Sequence, residues 1–279
     1  MDLLAGGEEA QHMTEEFRGS GPTATPLLEM KSISKFFGGL CAVNRVDFAI
    51  GKGEVVGLVG DNAAGKSTLM KILAGAYSPS EGDIWFEGAR VRFHDPQDAR
   101  GIGIEMLFQD LALVPELDVA ENLFLGKEVP RRLFGKIPLR FLLDRKSMNA
   151  KAAEFLKDLC INVEDVHEKV RNLSGGQQQS VSIARTLFFN AKLVILDEPT
   201  SAISVRETQR VLELISQLRA NAVSVIIVSH RMEDIFAVAD RIVVLRRGRK
   251  VEDIARGATS TEQVIRRIIG TEADAPAAG

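Results

Sequence analysis

Residues 60–67 read GDNAAGKS and stand between the apolar run EVVGLV and the apolar segment TLMKIL. The first run is short and continuous, which is typical of a strand buried on both faces. In the second segment Leu69, Ile72 and Leu73 recur at helical spacing. A loop with two glycines between a buried strand and a buried helix predicts an α/β unit, with the loop at the carboxyl end of the strand.

The loop fits the pattern G-x-x-x-x-G-K-[ST], with Gly60, Gly65, Lys66 and Ser67 at the fixed positions. Small residues let backbone N–H groups approach phosphate oxygens, and the helix that follows points its positive dipole end at them. The pattern therefore predicts a site for a nucleotide's phosphate chain, in which the lysine neutralises phosphate charge and the serine hydroxyl binds Mg²⁺. A merely structural glycine turn is the alternative. The predicted contacts with the nucleotide in this stretch come from Gly60, Asp61, Asn62, Ala63, Ala64, Gly65, Lys66, Ser67 and Thr68.

A second buried strand, KLVILDEP over residues 192–199, ends in two acids. Asp197 at a strand end predicts a Mg²⁺ ligand acting through water. Glu198 beside it predicts a general base for the attacking water. Two solvated acids at a strand end are the plainer interpretation, which the preceding phosphate-loop pattern disfavours.

The stretch RNLSGGQQQ (residues 171–179) has Ser174 and Gln177 at the spacing of a capping box, which predicts a helix start. Gly175 and Gly176 would let that helix N-terminus come close to a phosphate. Taken alone, the pattern indicates no more than a well-capped helix.

These motifs, with GIGIEMLFQD around Gln109 and VSH around His230, occur in the order and spacing of an ATP-binding cassette (ABC) ATPase. The resemblance covers roughly residues 27–270. Further stretches, LVPELDVAENLFLGKE and HRMEDIFAVADRIVVLRRGRKV, resemble the ATPase subunits of ribose- and monosaccharide-type importers. The resemblance implies an α/β phosphate-loop NTPase fold, with a RecA-like parallel-sheet core, an N-terminal antiparallel β subdomain and a helical subdomain carrying LSGGQ.

The resemblance also implies roles for individual residues. Phe37 would stack on adenine, Gln109 would sense Mg²⁺ and the membrane partner, and His230 would contact the terminal phosphate. The Mg²⁺ set would be Ser67, Gln109 and Asp197, and the catalytic set Glu198, His230 and Lys66. Two cassettes would pack head to tail as an ATP-dependent homodimer or pair, each nucleotide lying between one phosphate loop and the other subunit's Ser174, Gly175, Gly176 and Gln177.

As the energising subunit of a carbohydrate importer, the chain would lie peripherally on the cytoplasmic face of the membrane. It would bind transmembrane permease subunits and act indirectly with a secreted substrate-binding protein. Two alternatives remain open on sequence grounds: a non-transport ABC ATPase acting on nucleic acid or ribosomes, and a hydrolysis-deficient regulatory ATP-binding module.

Two positions depart from the family pattern. Ala63 stands where the family usually has glycine, so its methyl group either strains the loop or is tolerated after a small shift. Ser204 stands where cassettes commonly carry an aspartate that crosses the dimer interface, although importer ATPases of this type often lack that acid.

Composition limits the remaining classes. The net charge of −3 argues against a general nucleic-acid binder, and we expect no nucleic-acid partner. Cys41 and Cys160 match no metal spacing. Residues 1–26 are predicted to be a disordered leader, residues 27–270 the ATPase domain with its helical part at about 110–190, and residues 271–279 a flexible tail.

Two segments are candidates for contact with the membrane assembly. Residues 131–146 carry six basic side chains. The plainer interpretation is a surface loop and helix with a solvated basic face. The alternative is a segment that lies near the permease and is weakly attracted to the anionic leaflet of the membrane. The stretch from Gln109 to Glu121 offers apolar side chains, Leu113 and Leu117 among them, for a permease helix.

Overall fold

The computed structural model describes residues 26–107, 112–133, 137–159, 161–188, 191–201 and 203–270, and of residues 132, 133 and 137–141 it describes the backbone alone. The predicted leader, except for its last residue, and the predicted tail lie outside these ranges, as does Gln109. Those three expectations remain predictions.

A six-stranded sheet forms the centre of the domain. Its strands are β3 (Val55–Val59), β6 (Ile104–Leu107), β9 (Leu193–Asp197), β10 (Ser224–Val228), β11 (Arg241–Arg246) and β12 (Arg249–Ala255), in the order β12-β11-β3-β10-β9-β6. All neighbouring strands are parallel except the β11–β12 hairpin. The buried parallel strands predicted from the apolar runs are therefore confirmed.

The continuous apolar runs follow from burial on both faces of this sheet. In β3, Val55 and Val59 belong to one hydrophobic cluster, whereas Val56 and Leu58 belong to the other. Successive side chains of a strand point to opposite faces, so both faces must be apolar when both are covered.

A second, four-stranded antiparallel sheet confirms the predicted N-terminal subdomain. It consists of β1 (Leu28–Phe37), β2 (Leu40–Ile50), β4 (Glu81–Phe86) and β5 (Ala89–Val91), in the order β2-β1-β4-β5. Its buried residues share one cluster with the first helix and with one face of the central sheet.

The helices are α1 (Lys66–Leu73), α2 (Pro96–Gly101), α3 (Val119–Phe124), α4 (Arg145–Asp158), α5 (Gly175–Leu187), α6 (Val205–Ala220), α7 (Met232–Val238) and α8 (Thr261–Ile269). Residues of α3 to α7 pack in the cluster on the other face of the central sheet. The apolar residues of α6 at helical spacing are buried, which is why this helix lies flat on the core.

One local expectation is wrong. Instead of a loop and helix, the basic segment begins with an antiparallel hairpin of β7 (Pro130–Leu133) and β8 (Ile137–Leu143), and only α4 is helical. Pro130 and Pro138 explain the difference, because proline lacks the N–H that a helix interior uses and its ring clashes with the preceding turn.

Within the described ranges, no helix has the length and apolar character needed to cross a bilayer.

Candidate functional site

The parallel sheet brings the motif residues together at one edge. β10 pairs with β3 on one side and β9 on the other, with Val228 opposite both Leu58 and Asp197. The carboxyl ends of the three strands therefore coincide, and the segments that leave them face one another. These segments carry the phosphate loop, the Asp197–Glu198 pair and His230.

The loop's two outer glycines are required by the chain's own backbone. A Cβ at Gly60 would lie 2.2 Å from the Leu245 carbonyl oxygen, and one at Gly65 would lie 2.6 Å from that of Ala42. Gly65 also has a φ of 99°, which glycine adopts without cost. Glycine at these positions thus lets the loop fold against β2 and β11, in addition to the predicted approach to phosphate.

Ala63 adopts the left-handed conformation itself, with a φ of 65°. The methyl group does not push the backbone out of the glycine-like region. The residue carries the strain instead, which costs about 1–2 kcal/mol for a residue with a Cβ. Neighbouring bonds hold it there, from Ala64 N–H to the Asp61 carbonyl (3.1 Å) and from Gly248 N–H to the Ala64 carbonyl (3.0 Å).

Lys66 bonds to the backbone of its own loop. Its Nζ donates to the carbonyl oxygens of Gly60 (2.6 Å) and Asp61 (2.9 Å). Burial lowers the pKa of this amine, and the charges of Glu198, Asp197 and Asp61 oppose that effect. The ammonium group therefore lies in the loop with several anionic neighbours.

The acidic pair at the end of β9 lies opposite Lys66. Burial and the charge of Glu198 raise the pKa of the Asp197 carboxyl, while Lys66 counteracts them. Glu198 has a φ of 53°, and its N–H donates to the Val228 carbonyl (2.8 Å). Two adjacent half-buried carboxylates favour a cation beside them.

Glu198 also contacts His230, the residue predicted to contact the terminal phosphate. Its Oε2 lies 2.8 Å from His230 Nδ1, and this buried oxygen has no hydrogen-bond partner of good geometry in the described part of the chain. The His230 ring is 69% exposed, whereas the Glu198 side chain is 19% exposed. A buried carboxylate oxygen without a good donor suits a group that must accept a proton.

Phe37 lies at the rim of a cavity that the phosphate loop, Glu198 and His230 also line. Its ring is 42% exposed, packs edge-on against Tyr77 at 5.4 Å between centroids, and has Lys35 Nζ 5.3 Å from its centre. An exposed aromatic ring beside the loop fits the predicted stacking on a base. Tyr77 and Lys35 carried no sequence signal that linked them to Phe37.

A cavity of about 850 Å³ gathers these groups. The predicted site residues that line it are Phe37, Asn62, Ala63, Ala64, Gly65, Lys66, Ser67, Thr68, Asp197, Glu198 and His230. Gly60 and Asp61 lie in the same loop and contact Lys66 through their carbonyls. The described residues of one chain thus gather the phosphate loop, the acidic pair and His230 around one cavity.

Ser174, Gly175, Gly176 and Gln177 of the LSGGQ motif, called the signature below, do not line this cavity. Ser174 caps α5, and the predicted capping box with Gln177 is present in both directions. The N-terminus of α5 therefore lies apart from the cavity that the phosphate loop lines.

Sequence reasoning missed Glu207, which contacts the signature. Its carboxylate accepts hydrogen bonds from the Ser174 hydroxyl (3.0 Å) and the Gly176 N–H (2.9 Å). The pattern Ser204-x-x-Glu207 could have indicated a capping box at α6, which the structure contains. The contact across 33 residues had no such signal.

The oxygen-bearing side chains beside the phosphate loop suit a Mg²⁺ ion that is held partly by phosphate and water. Among the described residues, no group of three or more His, Cys, Asp or Glu side chains could hold an ion. Mg²⁺ is commonly held by one or two carboxylates together with phosphate oxygens and waters, and the hydroxyl and carboxylate oxygens of Ser67 and Asp197 fit that chemistry.

Comparison with known proteins agrees with this geometry. The sequence profile of the ABC transporter family matches residues 43–201. A xylose/arabinose import ATP-binding protein of Sulfolobus acidocaldarius is 44% identical over 85% of this chain and 92% of its own length. A ribose import ATP-binding protein of Rubrobacter xylanophilus is 42% identical over 91% of this chain, which spans only 48% of that relative.

Among solved structures, a dimeric ATP-binding cassette bound to ADP and phosphate superposes with a TM-score of 0.67 at 26% identity. The match covers 82% of this chain and 98% of that cassette. The phosphate loop, the acidic strand end and the parallel sheet thus have the arrangement of this family, and the chain belongs to the ABC transporter family as an ATP-binding cassette.

Proposed function

We propose that this chain is the ATP-hydrolysing subunit of an importer for a carbohydrate. The observation that carries the proposal is the cavity that joins the phosphate loop to Asp197, Glu198 and His230 while leaving the signature outside it. The names of the relatives, which import xylose, arabinose or ribose, give the class of solute. These names favour import over an action on nucleic acid or ribosomes, as does the net charge of −3.

The hydrolysis step follows from the acid–base geometry. Water attacks the terminal phosphorus of ATP, the bond to the bridging oxygen breaks, and Glu198 accepts the water proton at its buried Oε2. His230 lies against the same oxygen at 2.8 Å and can orient the carboxylate and contact the phosphate. Lys66 offsets phosphate charge, and Ser67, Asp197 and Gln109 would hold Mg²⁺, which neutralises charge on the phosphates.

In this proposal a second subunit supplies the signature that faces the phosphate loop of the first. The positive N-terminus of α5, with Ser174 to Gln177, would close over the nucleotide held by the partner's phosphate loop. The related dimeric cassette supports dimerisation, and the head-to-tail arrangement is our proposal. Mixing Lys66→Ala subunits with Ser174→Arg subunits tests it: heterodimers can collect both lesions in one composite site, so activity should partly return.

Coupling to a permease is assigned to the segment around α3. Leu117 is half-buried, and its carbonyl oxygen accepts hydrogen bonds from Val170 N–H (3.1 Å) and from the side-chain amide of buried Asn122 (3.3 Å). Leu113 instead packs against the core cluster. Leu117→Glu therefore changes the surface with less disturbance of the fold than Leu113→Glu.

The subunit would accordingly lie on the cytoplasmic face of the membrane and act indirectly with a secreted substrate-binding protein. The hairpin segment adds at most a weak attraction for anionic lipid. Arg131 is exposed, but Arg145 lies 2.8 Å from Glu121 and is already paired.

The decisive experiment is reconstitution with candidate sugar permeases and their binding proteins. ATP hydrolysis should rise when the correct sugar is added with its binding protein, and Leu117→Glu should remove that rise while basal hydrolysis persists. Sugar-independent hydrolysis with every candidate permease would contradict the transport assignment.

A further inference from the structure

The Glu207 carboxylate joins the N-termini of two helices. Its Oε1 accepts from Ser174 Oγ and Gly176 N–H at the start of α5, at 3.0 and 2.9 Å. Its Oε2 accepts from Ser204 Oγ (2.9 Å) and Ser204 N–H (3.1 Å) at the start of α6. Each oxygen therefore receives two hydrogen bonds, one pair from each helix.

The side chain also fills the space above the signature glycine. A Cβ on Gly176 would lie 2.3 Å from Cγ, 2.5 Å from Cδ and 2.6 Å from Cβ of Glu207. For a Cβ placed on the neighbouring Gly175, the nearest described atom beyond its chain neighbours and its own helix backbone is Ile203 Cγ2, at 4.0 Å. Gly176 thus has to be glycine for Glu207 to lie there, before any phosphate is considered.

The carboxylate is an anion under all ordinary conditions. Hydrogen bonds from Ser204, Gly176 and Ser174 lower its pKa from 4.5 to about 2. The positive ends of α5 and α6 both favour a negative charge at this point. Glu207 therefore has the chemistry of the ligand expected at a signature segment.

This contact uses the donors that a phosphate would need. A serine hydroxyl has one proton to donate, and that of Ser174 goes to Glu207 while its oxygen accepts from Gln177 N–H (3.2 Å). The Gly176 N–H is also taken. A phosphate oxygen can bind these two donors only after Glu207 leaves them.

We propose that Glu207 is an internal competitor of the nucleotide's terminal phosphate for the signature donors Ser174 Oγ and Gly176 N–H. The inference rests on the proposed function, in which the partner subunit presents that phosphate. When the phosphate arrives, Glu207 leaves α5 and remains bonded to Ser204 on α6. Closure of the dimer then requires enough nucleotide to displace the carboxylate.

The departure at Ser204 has a physical explanation in the same contact. Serine donates its hydroxyl to Glu207. An aspartate at this position has no proton to donate and would place a second negative charge against the carboxylate. Serine at position 204 thus stabilises the Glu207 carboxylate, which an aspartate there would repel.

The first test measures how much ATP the dimer needs. In a Glu198→Gln background, which prevents hydrolysis, adding Glu207→Gln should lower the ATP concentration for half-maximal dimerisation about 5-fold or more, as measured by sedimentation. Glutamine keeps the shape and the capping box but loses the charge. Glu213→Gln, which removes a charge from an exposed position of α6, is the matched control and should leave the ATP requirement unchanged.

A purely structural role for Glu207 predicts a different change in the ATP requirement. If its role is only to hold α5 and α6 in place, Glu207→Gln should leave the ATP requirement unchanged or raise it, and either result overturns the competitor role. If the Glu198→Gln parent itself fails to dimerise, the composite-site proposal fails, and the following test still decides this one.

The second test uses the monomer and inorganic tripolyphosphate. In a Lys66→Ala background, which weakens the phosphate loop, the NMR signal of the Gly176 amide is followed during titration. The signal should shift at clearly lower tripolyphosphate concentration in Glu207→Gln than in the chain that retains Glu207. Identical titrations would show that Glu207 does not block the donors and would overturn the proposal.

Discussion

Two helices begin beside glycines in this molecule, α1 after Gly65 and α5 at Gly175, and their surroundings differ in one respect. Around α1, Oε2 of Glu198 is buried without a well-placed donor among the described residues, and Ala63 keeps a strained backbone. Around α5, Ser174 and Gly176 are already bonded to an anion of the same chain. One helix start is prepared for an incoming ligand, whereas the other must first give up an internal one.

The difference shows that two glycine-bearing helix starts need not be equivalent. The phosphate loop lies at the carboxyl ends of the parallel strands, where three strand ends border a cavity. The signature helix packs beside α6, whose first turn supplies Glu207. The position of each helix in the fold thus decides whether its donors are satisfied.

The largest expected effect tests the phosphate-loop side. Glu198→Gln should lower steady-state hydrolysis about 100-fold or more, because the amide cannot accept the water proton, while ATP binding persists. Phosphate release and equilibrium nucleotide binding measure the two parts. Glu233→Gln, at an exposed position of α7, is the control. Wild-type turnover in Glu198→Gln would contradict the assignment of Glu198 as the general base.

A glycine pair tests the signature side. Gly176→Ala should lower the free energy of unfolding by about 1–3 kcal/mol, since its methyl group overlaps Glu207, whereas Gly175→Ala should have little effect. Denaturant unfolding of the isolated subunit is the measurement. Equal stability of both variants would mean that Glu207 is not held over Gly176.

An alanine pair tests the strain in the phosphate loop. Ala63→Gly and Ala222→Gly both relieve a left-handed alanine, with φ values of 65° and 59°. Each should stabilise the fold by up to about 1 kcal/mol, because the strain relieved exceeds the added entropy of the unfolded chain. Only Ala63→Gly should also raise nucleotide affinity or turnover. If nucleotide affinity or turnover rose in both variants, or in neither, the strain at Ala63 would have no specific effect on the nucleotide site.

The smallest expected effect concerns pH. The folded pKa of Glu207, about 2, lies below its ordinary value of 4.5. Its stabilising contribution should therefore be complete above pH 4.5 and decline as the pH falls towards 2. The difference in thermal midpoint between the wild type and Glu207→Gln should be flat from about pH 5 to 8. A difference that varied across this neutral range would contradict the strong hydrogen bonding at the signature.

Much of the site could be predicted because its chemistry is local. The spacing of Gly60, Gly65 and Lys66, and the acids after β9, are contained in short windows whose flanking apolar runs predict strand and helix. The hairpin of β7 and β8 lacks such a pattern, because its basic and apolar residues fit a surface loop and helix equally well and only its prolines disfavour a helix. Partners such as Tyr77 could not be assigned, since nothing in the chain marks a contact over 40 residues.

The sequence by itself determined the α/β class, the order of the motifs and the identity of the groups that handle phosphate, because those depend on residue type, spacing and hydrophobic period. Only the tertiary structure decided that Ala63 keeps the left-handed conformation and that Glu207 lies on Ser174 and Gly176. The physical reason is that backbone strain and the pairing of a buried or capped polar group are set by what the fold packs against them.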